Sequence, residues 1–212
     1  MKPILMNTEM VKAILAGTKN VTRRLIKPQP PSDNAYLRYI KDGFARFGWE
    51  HSTALCDRKL PYQIGDVLYV RETWAPLYPD LYSNDVAGYI YKADTRLVED
   101  YDKKFPNGKD YQWEGKWQPS IHMPKEAARI FLRVTDVRVE RLRDITEEDL
   151  TTDFGLCTEA IQAVGRDYLA RVAWNSTIKK SDLDKYGWDA NPWVWVIGFE
   201  RISKEEAMKN DK

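Results

Sequence analysis

Residues 17–27 read GTKNVTRRLIK, and this run carries four cations, Lys19, Arg23, Arg24 and Lys27, with no acid among them. Just before it, Asn7 or Thr8 can cap a short helix whose apolar positions Val11, Ile14 and Leu15 fall at i, i+3 and i+4, and Gly17 is a natural stop. Beyond Gly17 the pattern changes to alternation, with Val21, Arg23 and Leu25 on one face and Thr22, Arg24 and Ile26 on the other, which predicts a strand. Lys19 then falls in the helix-to-strand turn, with Thr22 and Arg24 expected to project together beside it. A lysine whose basicity is lowered by burial or by a neighbouring cation can act as general base for a hydroxyl nucleophile. The same spacing also suits a basic edge strand, charged against sheet-to-sheet pairing.

The totals narrow the classes. A chain of 212 residues suits one domain with elaborations and leaves ample length for a core. Its 33 basic and 32 acidic residues nearly cancel, so an anionic partner must be met by a local patch such as residues 19–27. Eight Trp and twelve Tyr supply core and, in part, surfaces that can stack on a flat ligand. Cys56 and Cys157 lack any CxxC or metal-ligand spacing, which reads as a reduced intracellular protein. With two His, at 51 and 122, a zinc site is not expected, and no cofactor is implied. Neither an apolar run of membrane-spanning length nor a signal peptide is legible, so a soluble cytoplasmic protein with no membrane partner is expected. The oligomeric state stays open.

Further along, residues 28–62 read as an irregular excursion with a hairpin around Asp42-Gly43. Gly65-Asp66 turns into a strand from Val67 that ends at Glu72, followed by Thr73-Trp74, and Val86 to Ala93 is the next strand. A second excursion, 94–127, is dense in charge and aromatics (Tyr101, Phe105, Tyr111, Trp113, Trp117) and ends in PSIHMP, where the prolines predict extended backbone around Ser120 and His122. Arg129 to Leu142 alternates as one long strand with a bulge or bend at Thr135-Asp136, a device that closes small barrels. Thr146 and Asp149 form a capping-box pattern opening a helix to about Asp153. A longer helix is predicted from Thr158 to Ser176, with Ile161, Val164, Tyr168 and Val172 as its buried stripe. Trp193 to Ile202 is apolar on both faces and reads as a central strand; Lys204 onward is a polar tail.

In this order the pieces resemble the ASCH-domain family, a branch of the PUA-like β-barrel proteins. The matching stretches are Gly17-x-Lys19-x-x-Thr22-x-Arg24, Gly65-Asp66-Val67-Leu68-x-Val70, the helix opened by Thr146-Glu147, and Val196-Ile197-x-Phe199. The longer form, with VRETW, PSIHMP, ITEED and NPWVWVI, is similar to ASCH-domain proteins of bacteriophages and prophages. The resemblance implies an α+β fold: a PUA-like small mixed β-barrel with flanking helices, a single domain over residues 1–203 with long insertions at about 28–62 and 94–127, and a tail at 204–212.

Small bacterial members of that family are amidohydrolases acting on N(4)-acetylcytidine. The resemblance carries their Lys and Thr to Lys19 and Thr22. Their third catalytic residue, a glutamate, falls at Asp153, one methylene shorter and separated from Gly155 by Phe154; Glu72, at a strand end, is the alternative carboxylate. In this reading Lys19 deprotonates Thr22, Asp153 or Glu72 protonates the leaving amine, and Arg24 or backbone N–H groups bind the oxyanion. Trp74 would stack on the pyrimidine, and His122 would lie in the substrate region. Two further readings accompany it. One is a non-catalytic RNA-binding module, with Lys19, Arg23, Arg24 and Lys27 on phosphates. The other is a metal-dependent ribonuclease using Glu72, Asp153 and Asp66, for which no ligand spacing is present.

Overall fold

The computed structural model describes residues 1–31, 34–79, 84–97 and 116–209, and Tyr101, Phe105, Tyr111 and Trp113 fall outside them. The strands are β1 (Lys2–Leu5), β2 (Val21–Leu25), β3 (Tyr36–Lys41), β4 (Phe44–Gly48), β5 (Leu55–Lys59), β6 (Val67–Arg71), β7 (Trp74–Leu77), β8 (Gly88–Tyr91), β9 (Phe131–Arg141) and β10 (Trp193–Ile202). The helices are α1 (Thr8–Leu15), α2 (Glu147–Phe154), α3 (Thr158–Val164), α4 (Arg166–Asn175), α5 (Leu183–Tyr186) and α6 (Lys204–Lys209). Hydrogen bonding sorts the strands into three open sheets, ordered β1-β6-β9-β10-β2, β3-β4-β5 and β7-β8.

This mixed α+β arrangement corrects the expected PUA-like barrel. Closure requires the two edges of the large sheet, β1 and β2, to pair, and among the described residues they do not. Strand β1 spans four residues and includes Pro3, which has no N–H to give a ladder. The strands of residues 36–59 bond to one another instead of extending the large sheet. The expected hairpin is there, with Asp42 and Gly43 both at positive φ, but a third strand completes it as a separate sheet.

The chain divides into two compact units. The first comprises Met1–Ala16, Val67–Leu132 and Arg201–Lys212, and the second Gly17–Asp66 and Arg133–Glu200. In the first, β1 runs parallel to β6, and Val67, Trp74, Met123, Phe131 and Ile202 are buried together. Helix α1 is capped by the Asn7 side chain on the Met10 N–H, as the sequence predicts. Ser120 to His122 is a turn of 3-10 helix rather than extended chain: Pro119 and Pro124 flank the turn, where neither has to donate a hydrogen bond.

In the second unit β10 runs antiparallel to β2, with Thr22 opposite Ile197, Arg23 opposite Val196 and Arg24 opposite Trp195. One face of this pair, through Val21, Leu25, Val194 and Val196, packs on a core that includes Leu142, Ile145, Leu150, Ile161, Trp174 and Trp188. Gly198 leaves room for the Thr135-Asp136 stretch of β9, since a Cβ there would lie 3.2 Å from both Thr135 Oγ1 and Asp136 Cβ. The helix predicted over 158–176 is two helices, broken at Gly165 with φ 95°. The break rotates the second half, so Tyr168 and Val172 face outward and Ala170 and Trp174 join Ile161 in the core, while Val164, the last residue of the first helix, is exposed as well. No helix among the described residues is long and apolar enough to cross a membrane.

Candidate functional site

Lys19, Arg23 and Asp153 meet inside the second unit and are 3%, 5% and 2% exposed. Asp153 occupies the last turn of α2, which opens on the expected capping box and stops where Gly155 adopts the left-handed conformation. Phe154, between them, packs its side chain against the helical core and so turns Asp153 toward β2. Lys19 Nζ donates to Asp153 Oδ1 at 2.6 Å, to the Val21 carbonyl at 2.7 Å, and to the Asp153 carbonyl. These three acceptors match the three N–H groups of an ammonium, and the Asp153 carbonyl lies at a helix C-terminus, where the dipole favours a cation. Burial nevertheless pushes the Lys19 amine below its ordinary value, against the opposing pull of Asp153, with Arg24 and Arg23 lowering it further.

Arg23 holds the other carboxylate oxygen, with Nη1 at 3.3 Å from Asp153 Oδ2. Its Nη2 lies 2.9 Å from Asp149 Oδ2 and 3.2 Å from Glu140 Oε2. Asp149 is itself fixed by the capping box. Its burial would raise its pKa, but hydrogen bonds from Thr146 and the Arg23 charge outweigh this and hold it below the usual carboxylate range. Lys19 and Arg23, two of the four cations in residues 17–27, are therefore neutralised inside the protein. A cavity of about 550 Å³ is lined by Asp136, Glu140, Asp144, Glu148 and Asp149 with Arg138 as its one cation, an environment that repels phosphate.

Thr22 is 1% exposed, and among the described residues no hydrogen bond joins it to Lys19. Strand alternation places Thr22 and Arg24 on the face opposite Arg23. Lys19 crosses toward the Arg23 face because Asp153 lies there. Arg24 is half-buried, and its pKa is lowered by burial while Tyr62 and Asp153 act in the opposite direction. Lys27 is exposed, its ammonium 4.8 Å from the centre of the Tyr186 ring.

Glu72, Trp74 and His122 belong to the first unit. Glu72 is 1% exposed and accepts a two-pronged bond from Arg129 at 2.9 and 3.0 Å. Arg129 also donates to Asp94 at 2.6 Å and lies 3.9 Å from the Tyr91 ring centre. Burial raises the Glu72 pKa, with Arg129 opposing, and pushes the Tyr91 phenol up to about 12. Trp74 is packed edge-on against Tyr89 at 5.6 Å, and His122 stands exposed on its 3-10 turn. Among the described residues no cluster of three or more His, Cys, Asp or Glu could hold a metal ion. The roles of Arg129, Asp149 and Glu140 were not legible as ion partners: only the capping function of Asp149 had a sequence signal.

A scan against family models, a search of curated protein sequences and a search of solved structures each return no match.

Proposed function

We propose that the protein is a cytoplasmic amidohydrolase that removes the acyl group from N(4)-acetylcytidine or a related acylated nucleoside, as the ASCH-domain resemblance implies. One observation carries this reading. Lys19 and Asp153, chosen from motif positions 134 residues apart, bond to each other at 2.6 Å within a buried cluster, and Thr22 lies three residues from the lysine. The phosphate-binding alternative loses support, because Lys19 and Arg23 are turned inward onto carboxylates.

In the proposed reaction Lys19 alone carries the proton. As a neutral amine it keeps two N–H groups and gains a lone pair, so one of its three hydrogen bonds opens. For this Lys19 Nζ has to leave Asp153 and swing to the Thr22 face of β2; Thr22 Oγ1 then attacks the acyl carbonyl carbon while its proton passes to Lys19 Nζ, and Arg24, on the Thr22 face, meets the negative charge that develops on the carbonyl oxygen. The tetrahedral adduct collapses, the C–N bond breaks, and the Lys19 ammonium returns the proton to the departing exocyclic amine. Water then attacks the acyl-threonine by the same route and releases the carboxylic acid. Asp153 has both oxygens occupied as acceptors, and its role is to hold Lys19 and balance its charge. The test is incubation with N(4)-acetylcytidine, native protein against Lys19→Ala, following deacetylated cytidine. Hydrolysis by the native protein alone supports the proposal, and none by either protein refutes it.

A further inference from the structure

The sheet β3-β4-β5 buries the centre of one face and leaves the other in solvent. Ala45 and Phe47 of β4 are 0% exposed, whereas Phe44, on the opposite side of the same strand, is 41% exposed. Register assigns the partners of the solvent face. Tyr36 lies opposite Gly48, Tyr39 opposite Arg46, and Lys41 opposite Phe44; on the other flank Leu55, Asp57 and Lys59 face Gly48, Arg46 and Phe44.

Tyr36 and Tyr39 are three residues apart, and in a regular strand they would point to opposite sides. A register shift between Leu37 and Tyr39 brings both to the solvent face, where they are 40% and 45% exposed. The face therefore presents three aromatic rings with cations between them. Arg38 lies 5.7 Å from the Tyr36 ring centre and Arg46 5.5 Å from that of Tyr39. Arg46 is tied to Asp57 by two bonds of 2.6 Å and to the Tyr39 hydroxyl at 2.7 Å, which fixes that ring. Among the described residues of these strands Asp57 is the one acid on this face, against Arg38, Lys41, Arg46 and Lys59, in a chain whose total charge is +1. Next to it a cavity of about 660 Å³ is lined by Tyr36, Trp49, Glu50, His51 and Asn34, and the buried Trp49 Nε1 makes no hydrogen bond to the described residues. Aromatic side chains grouped on one exposed sheet face mark an interaction surface. Rings separated by cations suit unstacked bases joined by phosphates.

We propose that this face is a docking platform for single-stranded RNA, with Tyr36, Tyr39 and Phe44 stacking on successive bases and Arg38, Lys41 and Lys59 meeting the phosphates. The choice of RNA over DNA rests on the ribonucleoside chemistry proposed above; the platform itself does not. The experiment is fluorescence anisotropy with a labelled single-stranded oligoribonucleotide of about ten residues, beside the same sequence as single-stranded DNA and as duplex RNA. The native protein should bind the single-stranded RNA best. Tyr39→Ala and Phe44→Ala should each weaken it about tenfold, and Lys41→Ala with Lys59→Ala should flatten its salt dependence. All are exposed positions, so their loss leaves the fold intact. Absent RNA binding, aromatic variants that bind as well as native, or equal affinity for either competing nucleic acid would overturn the proposal. The assay reads no turnover, so failure of nucleoside hydrolysis and failure of this platform are separate results.

Discussion

Asp153 and Glu72 are both almost sealed from solvent, yet they are held in different ways. Asp153 lies between Lys19 and Arg23, whose side chains are 0% and 1% exposed. Among the described residues Glu72 is forked on Arg129 alone, and that arginine keeps 26% of its side chain in solvent beside a second acid, Asp94. The difference concerns protons as well as stability. Lysine changes its protonation readily when buried, whereas arginine does not give up its proton in proteins. A carboxylate coupled to Lys19 therefore has a partner that can move a proton, while the partner of Glu72 is an arginine that keeps its own.

The largest expected effect is on turnover. Lys19→Ala should lower kcat/KM for the acylated nucleoside by on the order of 10²- to 10⁴-fold, whereas Glu72→Ala should leave hydrolysis in place. A loss with Glu72→Ala as large as with Lys19→Ala would reverse the assignment of the two carboxylates. Next comes stability in urea. Asp153→Ala leaves two buried cations without their shared acceptor and should cost about 3–5 kcal/mol. Glu72→Ala leaves an arginine that retains Asp94 and water, and should cost about 1–3 kcal/mol. Similar costs for both would show that the two clusters are equally dry.

The smallest effects separate the clusters by the sign of their pH dependence. Glu72 is held above its ordinary 4.5, so the folded chain keeps that proton to higher pH than the unfolded one. Its contribution is complete below the unfolded value and is lost as pH rises through the folded value. The stability gap between native protein and Glu72→Gln should therefore shift in favour of native on acidification. Asp149 is held below 3.8, so its contribution is present above that value and is lost as pH falls through the folded one. The gap to Asp149→Asn should shrink on acidification, and urea midpoints across the acid range read both.

Local signals carried much of the fold. The Asn7 cap, the Thr146-Asp149 box, the Asp42-Gly43 turn and the doubly apolar β10 are each set by neighbours a few residues away, and each is found where the sequence predicts it. The barrel failed because closure depends on which strands bond to which, and alternation within a strand says nothing about its partner. The buried stripe over 158–176 failed at Gly165, whose positive φ changes the helix direction. At the site, motif position brought Lys19 and Asp153 to the same place but gave Arg23 a phosphate to bind. Its three carboxylate partners come from β9 and α2, more than a hundred residues away, and pairing over that distance has no local signature.

The most direct test of the proposed chemistry is to quench the protein with acid during turnover of N(4)-acetylcytidine and read the peptide containing Thr22 by mass spectrometry. An acetyl group on Thr22 that appears during turnover, decays when substrate is exhausted and is absent from Lys19→Ala is the predicted result. Turnover with the Thr22 peptide unmodified at every quench time would contradict it.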